Sequence, residues 1–177
     1  MGPLSRMLLN KMNCFKCDRM LNHPFVVCVK CNELQRIPKL NYFQLFNMDK
    51  PSQFPNNIKQ TYIKLQSMSH PDRHNSNESA QNMSAFISNG YNTLNDPFKR
   101  AEYALQLQNV IINDHDKVPQ CFLMQVMELQ EDQDSENAEL IRNMQMDYQR
   151  QFWQLFEKED FKGAKDVLLK WKFLNKI

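Results

Sequence analysis

Apolar positions recur at helical spacing over most of the chain, and the breaks between them mark out its elements. Tyr42, Phe43, Leu45 and Phe46 open a short helix after Asn41. A loop carrying Pro51 and Pro55 follows. Ile58, Tyr62 and Leu65 then fall at i, i+4 and i+7, which predicts a helix over residues 57 to 69. Lys59 and Lys64 lie off that stripe. Pro71 disfavours the helical region for His70, so the helix stops there. After a polar stretch from Arg73 to Asn77, a second stripe runs through Ala80, Met83, Ile87, Tyr91 and Leu94. It predicts a helix from about Glu78 to Leu94, ended by Asp96-Pro97. Gly90 inside it weakens helix formation by about 1 kcal/mol relative to Ala. Two helices of similar length with opposing stripes predict an antiparallel hairpin holding His70-Pro71-Asp72 at its tip.

No proline follows Pro119, so the last third is free to hold long helices. After a connection over residues 109 to 119, three helices are predicted: Cys121 to about Gln133, Ser135 to about Glu159, and Phe161 to Asn175. Ile141, Met144, Tyr148, Phe152 and Leu155 stripe the middle one, and Asp160 is placed to cap the last. Short connections predict a three-helix bundle. Its first helix is too apolar for one core stripe: six of the ten residues from Phe122 to Glu131 are apolar. Periodicity does not say which of them face outward. Leu123 and Met127 read as contact residues, with ordinary bundle core as the alternative. Glu128, Glu131, Asp132, Asp134, Glu136 and Glu139 read as a solvated face or a negative patch. Cys121 is expected to be a small buried hydrophobe.

Before the first helix, cysteine chemistry replaces helical periodicity. Cys14-Phe-Lys-Cys17 and Cys28-Val-Lys-Cys31 are two CxxC pairs separated by ten residues. Such knuckles present four thiolates to a tetrahedral ion, here structural Zn²⁺. The spacer from Asp18 to Val27, with Pro24 in it, is long enough for a β-hairpin. Two disulfides, a redox pair and an iron–sulfur centre are the competing readings. His23 in the spacer reads as a surface residue. A segment this small needs its metal in order to fold.

The 177 residues suffice for one ordinary domain or a few small ones. Three glycines argue against a β-rich or phosphate-loop protein. A net charge of +2 gives no argument for nucleic acid or membrane. A zinc-ribbon nucleic-acid module would need more basic and aromatic residues around the cysteines than Lys16, Arg19 and Lys30. No apolar run approaches the roughly 20 residues of a membrane span. Met1 to Asn13 carries Arg6 and Lys11 and no acid, which reads as the end of a mitochondrial transit peptide or as an unrelated remnant. No nucleophile–base pair, open metal site or Walker-type loop appears, so an enzyme is not expected.

Helix, His70-Pro71-Asp72 loop, helix resembles the core of a J-domain, the module that docks on DnaK-type chaperones and triggers their ATP hydrolysis. The surrounding residues resemble the HscB-type J-proteins, which serve iron–sulfur cluster assembly. Tyr42-Phe43-Gln44-Leu45-Phe46 is similar to that family's Tyr-Phe-x-Leu-Phe opening. Leu65-Gln66, Tyr91-Asn92-Thr93-Leu94-Asn95-Asp96-Pro97 and Arg100-Ala101-Glu102-Tyr103-Ala104-Leu105 match further. Eukaryotic members also carry an N-terminal tetracysteine segment. The resemblance runs from Cys14 to Ile177. Three positions depart from it: His74 stands for a usual Phe, Ile63 for a frequent basic residue, and Gln130 for a common Arg.

The resemblance implies an all-α protein in three parts: a tail and zinc-binding β-hairpin segment (1–37), a J-domain hairpin (38–107) and a C-terminal three-helix bundle (108–177). It implies that His70, Pro71 and Asp72, with Lys59 and Lys64, bind the heat shock 70 chaperone. It implies that Leu123, Met124, Met127, Glu128, Glu131 and Phe173 bind the cluster scaffold protein. Cys14, Cys17, Cys28 and Cys31 would hold Zn²⁺. The implied place is the mitochondrial matrix, with the cytoplasm as the alternative. A general co-chaperone for unfolded clients is the competing function, and weak self-association stays open.

Overall fold

Asn41 starts the first helix, α1 (Tyr42–Leu45), by a reciprocal cap. Its side chain accepts from the Gln44 N–H at 2.8 Å, and the Gln44 side chain accepts from the Asn41 N–H at 3.0 Å. The computed structural model describes residues 13–21, 26–37, 40–48, 50–53, 57–74, 78–113, 115–131 and 135–175. The expectations for residues 1–12, His23, Asp132 and Asp134, and for the side chains of Pro71 and Glu131, lie outside that description. Beyond α1 come α2 (Ile58–Ser69), a 3₁₀ turn (Pro71–His74), α3 (Glu78–Asn95), α4 (Pro97–Gln106), α5 (Gln120–Glu131), α6 (Ser135–Glu157) and α7 (Phe161–Leu174). The chain divides into two compact units, with the break between Asp96 and Pro97.

In the first unit, α2 and α3 form the expected hairpin and α1 lies on α3. The predicted stripes are its interior: Ile58 and Leu65 from α2, and Ala80, Met83, Ile87 and Leu94 from α3, are buried. Tyr62 stacks on Tyr91 with ring centres 4.4 Å apart. A polar clamp joins the same two helices. The Gln66 carboxamide donates to the Ser84 carbonyl at 3.0 Å and the Ser88 hydroxyl at 2.8 Å, and accepts from the Ser84 hydroxyl at 2.8 Å.

Gly90 is where α1 approaches α3. A Cβ there would sit 2.9 Å from Tyr42 Cδ1 and 3.0 Å from Phe46 Cε2. The glycine that weakens α3 as a helix therefore permits its packing. Gly90→Ala gains about 1 kcal/mol of helix propensity but overpacks a ring contact at about 1–3 kcal/mol. A net loss is expected, read as a lower thermal midpoint. A higher midpoint would show that α1 is not seated there.

The metal segment departs from the expected β-hairpin. Among the described residues it holds no strand, only two isolated bridges, Asn13 with Met20 and Val27 with Leu34. Each bridge closes one CxxC knuckle on itself, so the two halves need not pair. Asp18 and Asn32, each directly after its knuckle's second cysteine, take left-handed backbone (φ 55° and 53°). Asp and Asn tolerate that conformation well.

In the second unit, α6 and α7 form an antiparallel pair with α5 on α6, the expected three helices. The helix α4 packs on α7 and α6 as a fourth. Phe98 meets Trp171 edge-on at 5.5 Å. Asp160 caps α7 by accepting from the Gly163 N–H at 3.0 Å. Lys165 pairs with Asp116 at 2.8 Å and ties the 110–119 connection to α7. That ammonium holds the Asp116 carboxyl below its usual range. Cys121 is exposed, against expectation: it stands at the start of α5, one residue before the side that packs inward. No described helix is long and apolar enough to cross a membrane.

Candidate functional site

Three places carry the residues singled out by sequence. At the hairpin tip, His70 leaves α2 in extended backbone (φ −57°, ψ 131°), as a residue before proline must. Its carbonyl accepts from the Arg73 N–H at 3.0 Å, which closes the turn. The Asp72 N–H lies 3.3 Å from His70 Nδ1, and Asp72 Oδ2 lies 3.6 Å from the same nitrogen. His70 and Asp72 side chains both face solvent. His74 Nε2 donates to the Met68 carbonyl at 2.9 Å and ties the end of the turn back to α2. Ser69 donates to the Leu65 carbonyl at 3.0 Å. The tip is thus tied back to α2, while the His70 and Asp72 side chains, which also contact each other, stay exposed to solvent. Lys59 and Lys64 are exposed on α2, with Ile63 exposed between them.

On α5 the apolar residues split between two sides. Phe122 and Val126 are buried with Leu174, and Leu123, Ile141, Met144, Tyr148 and Phe173 pack against them. Phe122 is the hub, edge-on to Tyr148 at 5.9 Å and to Phe173 at 6.2 Å. Met124 and Met127 are 56% and 58% exposed, and Glu128 is exposed beside them. Of the residues the resemblance nominated, Met124, Met127 and Glu128 therefore face outward. Leu123 and Phe173 lie half-buried at the edge of the core.

In the metal segment, the Sγ atoms of Cys14, Cys17, Cys28 and Cys31 all lie within 4.8 Å of one another. Cys14 and Cys31 are 3.6 Å apart and Cys17 and Cys28 3.7 Å, far beyond a disulfide bond. Four thiolates at about 2.3 Å from a central ion would be about 3.8 Å from each other. The donor set thus fits one tetrahedral cation. Burial opposes ionisation of Cys14, yet the N–H groups of Cys17 and Lys16 on its sulfur hold it down to about 6. Cys31 receives the Glu33 N–H, but burial and the neighbouring thiols push it up to about 12. Four thiols this close ionise together only around a cation.

Gln35 supports this cluster, although no sequence pattern points to it. It is 4% exposed. Its Nε2 donates to Cys14 Sγ at 3.4 Å and to the Glu33 carbonyl at 2.7 Å, and its Oε1 accepts from the Phe15 N–H at 3.3 Å. It therefore bridges both knuckles, as does the Lys16–Glu33 ion pair. A glutamine four residues past a CxxC gives no periodic signal.

A helical hairpin presenting His-Pro-Asp at its tip defines a J-domain co-chaperone. The DnaJ domain matches residues 41–104. The co-chaperone protein HscB homolog of Vibrio cholerae is 31% identical over 160 residues, covering 78% of this chain and 92% of that protein. The mouse iron–sulfur cluster co-chaperone protein HscB is 28% identical over 167 residues, covering 85% and 71%. In fold, the chain matches the crystal structure of human co-chaperone protein HscB with a TM-score of 0.76 at 23% identity, covering 93% and 94%. The chain belongs to the HscB family, the J-protein co-chaperones of iron–sulfur cluster biogenesis.

Proposed function

We propose that this protein binds the iron–sulfur scaffold through α5, brings it to a DnaK-type heat shock 70 chaperone, and stimulates that chaperone's ATPase through His70, Pro71 and Asp72. Hydrolysis would lock the chaperone on the scaffold and promote cluster transfer. The exposed, braced His70-to-Asp72 tip carries this reading. Lys59 and Lys64 on α2 would complement an acidic chaperone surface. Leu123, Met124, Met127, Glu128, Glu131 and Phe173 would meet the scaffold. The protein acts without a catalytic site of its own. Two weak interfaces on one chain raise the effective concentration of scaffold at the chaperone. Functionally the chain divides as 1–37, 38–107 and 108–177. The DnaJ match includes α4, although α4 packs with α6 and α7. The ion held by Cys14, Cys17, Cys28 and Cys31 is structural Zn²⁺, since four sulfurs this close enclose one ion rather than a cluster with its own sulfides. Likeness to mouse, human and Arabidopsis co-chaperones supports the mitochondrial matrix over the cytoplasm.

The test is the steady-state ATPase rate of a mitochondrial-type DnaK chaperone with this protein, with and without scaffold. Stimulation should rise when scaffold is added, and His70→Gln should remove it entirely. Stimulation that depends on His70 but ignores scaffold would make this a general co-chaperone for unfolded clients.

A further inference from the structure

The last strip of the metal segment borders a polar cleft of about 410 Å³ whose other wall is the far end of the 3₁₀ turn. Phe15, Glu33, Gln35 and Arg36 line one side, and Arg73 and His74 the other. Arg73 directly follows the His70-Pro71-Asp72 tripeptide, so the cleft adjoins the tip. The charge there is positive. Lys16 neutralises Glu33, whereas Arg36 and Arg73 are exposed and form no ion pair with a described residue. Arg36 is held rather than loose: its guanidinium lies 5.4 Å from the centre of the Phe15 ring. Phe15 in turn is fixed through its N–H to Gln35, which also donates to Cys14 Sγ. The metal knuckles thus set the position of Arg36.

We propose that this cleft is the second half of the chaperone-docking surface, in which Arg36 and Arg73 together take a carboxylate-bearing segment of the DnaK-type chaperone. It rests on the reading of His70 to Asp72 given above. Arginine suits the task because its planar fork meets a carboxylate with two parallel hydrogen bonds. Charges at the rim of an interface act chiefly on encounter and on salt dependence. Arg36 should therefore set how much protein is needed, and His70 what the bound protein achieves.

The experiment titrates the full-length, metal-loaded protein into a DnaK-type chaperone and reads ATPase rate, for wild type, Arg36→Glu, Arg36→Lys, Arg73→Glu and His70→Gln. Arg36→Glu should raise the half-maximal concentration about tenfold, with the plateau rate kept and a shallower salt dependence. Arg36→Lys, which keeps the charge but loses the planar fork, should lie between wild type and Arg36→Glu, at about threefold. His70→Gln should lose the plateau itself. Wild-type half-maximal concentration in Arg36→Glu, beside an inactive His70→Gln, overturns the cleft and leaves the co-chaperone reading standing. A loss in Arg36→Lys as large as in Arg36→Glu also overturns it, since the effect would then be structural. No stimulation by the wild type overturns both.

Discussion

Aspartate at both Met124 and Met127 is expected to remove scaffold binding while leaving the fold intact. The two side chains stand three residues apart on α5, each more than half exposed, on the side away from Phe122 and Val126. Flexible thioethers of this kind adapt to a partner's apolar surface. Apolar anchors at the centre of a small interface each contribute about 2 kcal/mol or more, so losing two and introducing charge should weaken binding at least about 100-fold. The ATPase assay should show the complementary pattern. Stimulation by the protein alone persists, and the increment from scaffold disappears. Val126→Asp on the same helix is the contrast, because it places a charge in a fully buried position and should unfold the second unit. Leu123→Ala and Phe173→Ala are poorer probes, since both side chains also pack against the core and should lower the melting temperature as well. If the double aspartate variant still binds scaffold with wild-type affinity, the outward face of α5 is not the contact surface.

The hairpin was legible because both its faces obey one period. Ile58, Tyr62 and Leu65 on one side and Ala80, Met83, Ile87, Tyr91 and Leu94 on the other announce where they meet, and Pro71 announces the turn. What periodicity could not announce was of three kinds. First, Asp96-Pro97 marks the end of α3, yet an acidic residue before a proline equally opens a helix, and α4 begins there. Second, an apolar helix such as α5 does not declare its outward side. Only the packing of Phe122 and Val126 around Leu174 shows that Met124 and Met127 are left over. Third, polar residues that hold by geometry have no pattern at all. Gln66 between α2 and α3, His74 on the Met68 carbonyl and Gln35 across the two knuckles become visible only as contacts. Gly90 reversed its meaning: a defect in the helix is a necessity of the contact. The cysteine spacing revealed the donor set but overstated the β structure, because each knuckle closes on itself.

Metal removal should unfold the N-terminal segment and spare the helices. Cys14 and Cys28 form its interior with Leu21, and Cys17, Cys31 and Leu40 pack against them, so most of this small core is metal ligand. The few apolar side chains that remain cannot hold it together, whereas a structural zinc ion contributes about 10–16 kcal/mol. Thiol titration reads this directly. The loaded protein should show one fast thiol, exposed Cys121, and the chelated protein all five cysteines. Amide exchange should speed up over residues 13–21 and 26–37, while α2 and α3 keep their protection. Acid acts in the same direction as chelator, since protons compete with metal for thiolates, so the metal is lost as pH falls. Gln35 sharpens the prediction. Gln35→Leu keeps the size but removes the N–H on Cys14 Sγ and the acceptor for the Phe15 N–H, and support of this kind is worth about 10–100-fold in metal affinity. In chelator competition its half-point should move by that factor, with the helical signal unchanged. An unchanged half-point would mean that the knuckles fix their own sulfurs and that Gln35 only fills space. All five thiols reacting fast before any chelator is added would mean that no ion is held there.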